Sequence, residues 1–377
     1  MKTILIVSHH TGNWGAERST CSLSAYLKSL GYRVVLLIPR EGKIMELIKQ
    51  YDLEYEICYF RNWINYKGTN YFRAIASSAI NLFQLFRMQM KLKTKKIQPD
   101  VVYSNTLIHG FGIVLAKYYQ VPHIQHIREN IDAFGMKFNW GYDFTMKVIS
   151  EYSVKVICTS KNLMGRYLSN IGADKITYEY NGIPIISDYV EVKKNENDVF
   201  AIVLVGRLHE DKRPQDVFTT INKMVVAGYD NIHLDVYGDG YLEEGLRQYI
   251  KEYNLNKYIS MKGFQSSIDY IPYYLGIMAA TFEAFGRVTI EYMMNGLAVI
   301  GCDSGGTKEI VVNNETGYLY KANDADDLFK YLEDLYLNRE KCIEFGRNGR
   351  KRVIECFSQE RYVKGVSKYF IEILEKK

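Results

Sequence analysis

Short runs rich in apolar residues recur along the chain at 4–7, 34–38, 100–103, 123–127 and 154–158. Longer stretches with helical spacing separate them, as at 17–30. Runs that are apolar throughout and rich in Val and Ile predict strands covered on both faces, the pattern of a parallel sheet. At 185–198 the pattern breaks into a polar connector that ends in Lys193-Lys194-Asn195-Glu196-Asn197-Asp198. A second series then follows at 200–205, 233–237, 258–261, 277–280 and 298–301. The predicted class is α/β, with two doubly wound domains facing each other across a cleft. The expected boundaries are 1–184 for the first domain, 185–198 for the linker and 199–357 for the second. A closing helix around 358–377 is a candidate to pack back on the first domain. Ligands in such sheets bind at the carboxyl ends of the strands, so the loops after these runs carry the chemistry.

Composition narrows the class without naming it. The 377 residues are 47% hydrophobic and 24% charged, which excludes a disordered, collagen-like or low-complexity chain. Lys and Arg number 48 against 43 Asp and Glu, and the excess of +5 does not demand a nucleic-acid partner. Cys21, Cys58, Cys158, Cys302, Cys342 and Cys356 have neither paired nor metal-ligand spacing, so free thiols in a reducing compartment are expected. The first eight residues read as a strand rather than a signal peptide. No run of ~18 apolar residues predicts a membrane span. The expected location is cytoplasmic.

The strongest local motif is Glu283-Ala284-Phe285-Gly286-Arg287-Val288-Thr289-Ile290-Glu291, between the run at 277–280 and a helical stretch at 289–295. Two carboxylates bracket a glycine turn. The amides of Gly286, Arg287 and Val288 would then face outward at a helix N-terminus, where amides and dipole attract a phosphate. A carboxylate placed in the first helical turn suits vicinal hydroxyls such as those of a ribose. The bland alternative, that both acids merely favour the helix start, stands beside it. Val205-Gly206-Arg207-Leu208-His209-Glu210-Asp211-Lys212-Arg213-Pro214 follows the first strand of the second series. Arg207 and Lys212 could neutralise a diphosphate, or be ordinary loop charge.

Further turns occur at Asn181-Gly182-Ile183-Pro184, Tyr237-Gly238-Asp239-Gly240, Gly305-Gly306-Thr307-Lys308-Glu309 and Glu315-Thr316-Gly317. With these residues in place the chain resembles a GT-B glycosyltransferase of glycosyltransferase family 4, from the first strand to about residue 360 and most clearly in the second half. The resemblance implies roles residue by residue. Glu291 matches the acid that holds the nucleotide ribose, and Glu283 the acid at the donor-sugar hydroxyls. Arg207 and Lys212 match the pair that binds the diphosphate and stabilises its departure. Phe285, Gly286, Arg287 and Val288 match the loop under sugar and phosphate. His126 matches a histidine near the donor sugar, and Gly15 a Gly-rich turn that opens the first helix. Trp14 stands where the family often has another Gly, a departure that bears on how closely the backbone approaches the diphosphate. The catalytic set so implied is His126, Glu283, Arg207 and Lys212.

The activity implied is retaining transfer of a sugar from a nucleotide sugar, with UDP the favoured nucleotide. The acceptor would be a carbohydrate or lipid-linked glycan in bacterial surface polysaccharide or glycolipid synthesis. No cofactor and no metal are expected. The Asp324-Ala325-Asp326 triplet precedes a helical stretch where acids favour the first turn, and Arg207, Lys212 and a helix N-terminus supply the charge. Two other classes stay open. One is a sugar-nucleotide epimerase or phosphorylase of the same architecture; the other is a non-catalytic glycan-binding partner subunit.

Residues 61–96 stand apart. Arg61, Lys67, Arg73, Arg87, Lys91, Lys93, Lys95 and Lys96 give this stretch +8 with no Asp or Glu. Trp63, Tyr66, Tyr71, Phe72, Phe83, Phe86 and Met88 interleave with them. The combination suits an anionic bilayer surface, which predicts a peripheral site on the inner face of the cell membrane. No nucleic-acid recognition motif accompanies the charge. The competing reading packs 74–92 on the first sheet and leaves the charges solvated.

Overall fold

The computed structural model describes residues 1–66, 70–131, 135–189 and 198–375. Lys67 of the basic stretch, residues 190–197 of the expected linker, and residues 376–377 lie outside them. The chain forms two compact units, 1–182 with 359–377 and 183–358.

The first unit alternates strand and helix. Its elements are β1 (Thr3–Val7), α1 (Gly15–Ser29), β2 (Arg33–Ile38), α2 (Ile44–Gln50), β3 (Glu54–Ile57), β4 (Ile64–Asn65), α3 (Tyr71–Thr94) and β5 (Val101–Ser104). There follow α4 (Phe111–Tyr119), β6 (His123–Ile127), β7 (Lys137–Phe138), α5 (Tyr142–Tyr152), β8 (Lys155–Cys158), α6 (Lys161–Ile171) and β9 (Ile176–Tyr178). Seven strands form one parallel sheet in the order β3-β2-β1-β5-β6-β8-β9, and β4 pairs antiparallel with β7. Alternate residues of the continuous apolar strands serve opposite faces. Ile4, Ile6, Val34 and Leu36 pack with α1, while Leu5, Val7, Val35 and Leu37 pack with α3 and α4.

The second unit contains β10 (Phe200–Val205), α7 (Pro214–Val226), β11 (Ile232–Tyr237), α8 (Glu243–Glu252), β12 (Ile259–Gly263), β13 (Leu275–Met278) and α9 (Arg287–Met294). It continues with β14 (Ala298–Cys302), α10 (Thr307–Ile310), β15 (Gly317–Tyr320), α11 (Ala325–Leu337) and α12 (Arg339–Cys356). Its parallel sheet runs β12-β11-β10-β13-β14-β15. Pro214, with φ preset for a helix and no N–H to leave unpaired, starts α7. The last helix, α13 (Gln359–Glu375), belongs to the first unit, where Tyr362, Val366 and Phe370 join the core under β1 and β5.

Strand order reverses at β1/β5 in the first sheet and at β10/β13 in the second. In doubly wound sheets that reversal opens a crevice at the carboxyl ends, because the flanking connections leave to opposite faces. The loops after β1, β5, β10 and β13 are therefore where ligand chemistry belongs.

Candidate donor and sugar sites

In the second unit the loops after β10 and β13 converge. Lys212 closes a short 3-10 turn, Glu210–Lys212, and its ammonium is ion-paired with the Glu283 carboxylate. Each side chain is only about a fifth exposed, so the pair is partly shielded from solvent. Arg207 lies on the same loop and is exposed.

Glycine geometry draws the second loop tight. Gly286 has φ 105° and caps α9, a left-handed conformation that side chains with a Cβ rarely adopt. Gly305 has φ 55°, and a Cβ there would run into the Glu283 carbonyl oxygen. The Gly306 amide donates to that same oxygen at 2.8 Å. The helix thus begins at Arg287, two residues earlier than the sequence pattern places it. Val288 follows in the first turn, with Phe285 buried beneath. Glu291 consequently stands in the second turn rather than the first, and its carboxylate takes a 3.1 Å bond from Arg287 Nε one turn back. The hydroxyls of Thr289 and Thr307 are buried and have no partner among the described residues. Sequence pattern did not single them out; each stands at the start of a helix, which is the signal that could have.

In the first unit Gly15 is the first residue of α1, capped by Trp14, whose amide donates to Glu17 at 3.2 Å. Trp14 itself is exposed. His126 is fully buried on β6, with Nδ1 2.5 Å from the Tyr103 hydroxyl and Nε2 unpartnered among the described residues. Burial, and then the Arg128 charge, hold its pKa well below the usual histidine range.

Around it lies a buried polar belt that periodicity did not reveal. Arg128 donates to Asn105 at 2.7 Å, Asn181 at 2.6 Å and Tyr362 at 2.7 Å. Glu129 accepts from Thr106 at 2.5 Å and from the Leu107 amide at 3.0 Å, and burial raises its pKa. His109, its ring tilted against Phe60, is fully buried with both ring nitrogens unpartnered among the described residues, and burial pushes it down to about 3. His9 Nδ1 is likewise without a partner among the described residues. Such orphan groups are costly unless something binds them. They mark the ends of β1, β5 and β6 as a candidate hydroxyl-binding surface.

Among the described residues no cluster of His, Cys, Asp and Glu has the makings of a metal site. Asp324 caps α11 by accepting from the Asp327 amide at 3.0 Å, and Asp326 pairs with Lys223 at 2.5 Å. The triplet therefore serves a helix start. All six cysteines are free thiols.

The basic stretch divides in two. Lys91, at 2.6 Å, and Lys95 hold the buried Glu56 carboxylate. Burial alone would raise the Glu56 pKa, but the two ammonium groups bring it below the ordinary value. Both lysines pair within the chain while their side chains stay 40% and 52% exposed. On α3, Ala74, Leu85, Met88 and Leu92 face the core. Phe72, Ile75, Leu82, Phe83, Phe86 and Met90 form a second, exposed apolar stripe. No helix among the described residues is long and apolar enough to cross a membrane.

The group 1 glycosyl transferase family matches residues 187–352, and Glycosyltransferase Family 4 matches residues 15–185. The capsular polysaccharide biosynthesis glycosyltransferase CapM of Staphylococcus aureus is 31% identical over 295 residues, covering 72% of this chain and 77% of CapM. The chain belongs to glycosyltransferase family 4. An uncharacterized glycosyltransferase of Methanocaldococcus jannaschii is 25% identical over 337 residues, 85% of this glycosyltransferase and 91% of that protein. The chain spans about half the length of two further curated relatives. Anabaena HepE, solved in complex with UDP, superposes with a TM-score of 0.79 at 15% identity, covering 99% of this chain and 100% of HepE. The fold is therefore that of the GT-B glycosyltransferases.

Proposed function

We propose that this glycosyltransferase moves a sugar from a UDP-sugar to a glycan or lipid-linked glycan, with retention and without a metal, in bacterial surface polysaccharide or glycolipid synthesis. The observation that carries this is the tight glycine-built junction of the β10 and β13 loops, with Lys212, Glu283 and the start of α9 side by side. Glu291 takes the ribose hydroxyls. The amides at Gly286, Arg287 and Val288 take phosphate oxygens at the positive end of α9. Arg207 and Lys212 neutralise the diphosphate as it leaves, the task a divalent cation performs elsewhere. Support for UDP comes from HepE, whose structures contain UDP and UDP-glucose. Support for a surface polymer comes from CapM, named for capsular polysaccharide.

Retention follows a front-face course in this proposal. The bond from the anomeric carbon to the diphosphate oxygen breaks, the acceptor oxygen bonds to the same face, and its proton passes to the departing phosphate. Glu283, engaged by Lys212, orients sugar hydroxyls rather than attacking carbon. His126 contacts the sugar, and Gly15 opens α1 in a Gly-rich turn, as the family resemblance implies. The chain's work is orientation and charge stabilisation.

Peripheral binding to an anionic membrane surface is part of the same proposal, on the exposed α3 stripe flanked by Arg73, Arg87 and Lys93. The test of the reaction is release of UDP from UDP-sugars by the purified chain, with and without glycan acceptors. Interconversion of the sugar without acceptor would favour an epimerase, and absence of any turnover would favour a partner subunit.

A further inference from the structure

His126 sits at the carboxyl end of β6 with opposite surroundings at its two ring nitrogens. Nδ1 lies 2.5 Å from the Tyr103 hydroxyl, and Nε2 has no partner among the described residues. A neutral imidazole carries a proton on one nitrogen and a lone pair on the other, and the hydrogen bond at one nitrogen decides which.

Tyr103 has one proton to give and two acceptors within reach, His126 Nδ1 at 2.5 Å and Asn105 Oδ1 at 3.5 Å. Distance favours the imidazole, since a contact at 3.5 Å is outside the strong range. Asn105 Oδ1 is also occupied, accepting from Arg128 Nε at 2.7 Å.

We propose that Tyr103 donates to His126 Nδ1 and fixes His126 as the Nε2–H tautomer, a neutral donor kept for a ligand oxygen. Tyr103 is thus a positioning residue that acts through His126. The N–H so presented selects an atom with a lone pair, a sugar hydroxyl or phosphate oxygen, and disfavours a ligand group that can only donate. The tautomer stands independently of the transferase reading; only the assignment of the ligand oxygen to a sugar substrate rests on it.

Long-range proton–nitrogen NMR of the full chain labelled with ¹⁵N-histidine tests this directly, with the His126 ring assigned through His126→Gln. The expected spectrum has Nδ1 unprotonated and Nε2 protonated from about pH 7 to about pH 5.5. An Nδ1–H tautomer, or a doubly protonated ring, overturns the proposal. In Tyr103→Phe the Nδ1 signal is expected to shift to that of a nitrogen without a donor; an unchanged His126 spectrum overturns the role of Tyr103. Asn105→Ala, which removes the competing acceptor and keeps the tyrosine, should retain the tautomer, and a switch there counts equally against it. Calorimetry of UDP on the same wild-type sample reads the transferase proposal separately, so the two fail independently.

Discussion

The Lys212 ammonium is ion-paired with the Glu283 carboxylate across the junction of the β10 and β13 loops. Two side chains far apart in sequence, one suited to a diphosphate and the other to sugar hydroxyls, therefore orient one another. A cation held this way adds its field at a fixed point, and fixed charges stabilise a developing anion without reorganisation.

Lys212→Ala should lower sugar-transfer turnover by about 10²–10³, equivalent to about 2.7–4 kcal/mol of transition-state stabilisation. The same variant should weaken UDP binding and leave uridine binding unchanged. Equal losses for UDP and uridine would show that Lys212 supports the fold of the loop rather than the diphosphate.

Chelation separates fixed side-chain charge from metal chemistry. Turnover should be unaffected by excess EDTA. A reproducible loss restored by Mg²⁺ or Mn²⁺ would replace Arg207 and Lys212 as the neutralising charge.

Vesicle binding tests the exposed α3 stripe. The variant to use changes Arg73, Arg87 and Lys93 to Gln and leaves the Lys91 and Lys95 pairs with Glu56 intact. With roughly 1 kcal/mol per basic residue, affinity for vesicles rich in phosphatidylglycerol should fall about a hundredfold. Phe83→Ser with Phe86→Ser should weaken binding to the same vesicles through the apolar side of the helix. Parent and variants that bind alike would assign this face to something other than anionic lipid.

Acid should destabilise the first unit through its buried histidines. Burial pushes His109 down to about 3, and burial with the neighbouring His109 does the same to His123. His123 is fixed by Ser104 and Ser153, each at 2.9 Å. Both folded values lie below the unfolded value of about 6.5. Between about pH 6.5 and pH 3 the unfolded chain binds more protons, so stability is lost as pH falls through that window, by about 1.4 kcal/mol per pH unit for each histidine. The urea midpoint should be lower at about pH 5 than at about pH 7, and His109→Phe should recover part of the difference. Equal midpoints would contradict the buried, neutral state of these rings.

The two βα series were legible because the central strands β1, β2, β10 and β14 are apolar along nearly their whole length, and the Glu283 to Glu291 loop because its charges bracket a glycine. Boundaries were less so. The 277–280 run contains the end of β13, which begins at Leu275, and α9 starts at Arg287 because Gly286 adopts a positive φ that letters do not show. Pairings across long separations were hidden altogether. Arg128 with Tyr362 joins β6 to the last helix, and Glu56 with Lys91 and Lys95 joins β3 to α3. Periodicity reports which face a residue takes and not which charge will meet it, so the polar belt beneath His126 and the split of the basic stretch emerged only from the fold.

On the proposed reading, the second unit binds a uridine diphosphate at the start of α9. Calorimetry of UDP against GDP, with Glu291→Ala beside the parent, tests it most directly. UDP should bind in preference to GDP, and Glu291→Ala should weaken it by tenfold or more, about 1.4 kcal/mol. Binding of neither nucleotide to a folded sample, or UDP affinity indifferent to Glu291, would contradict it.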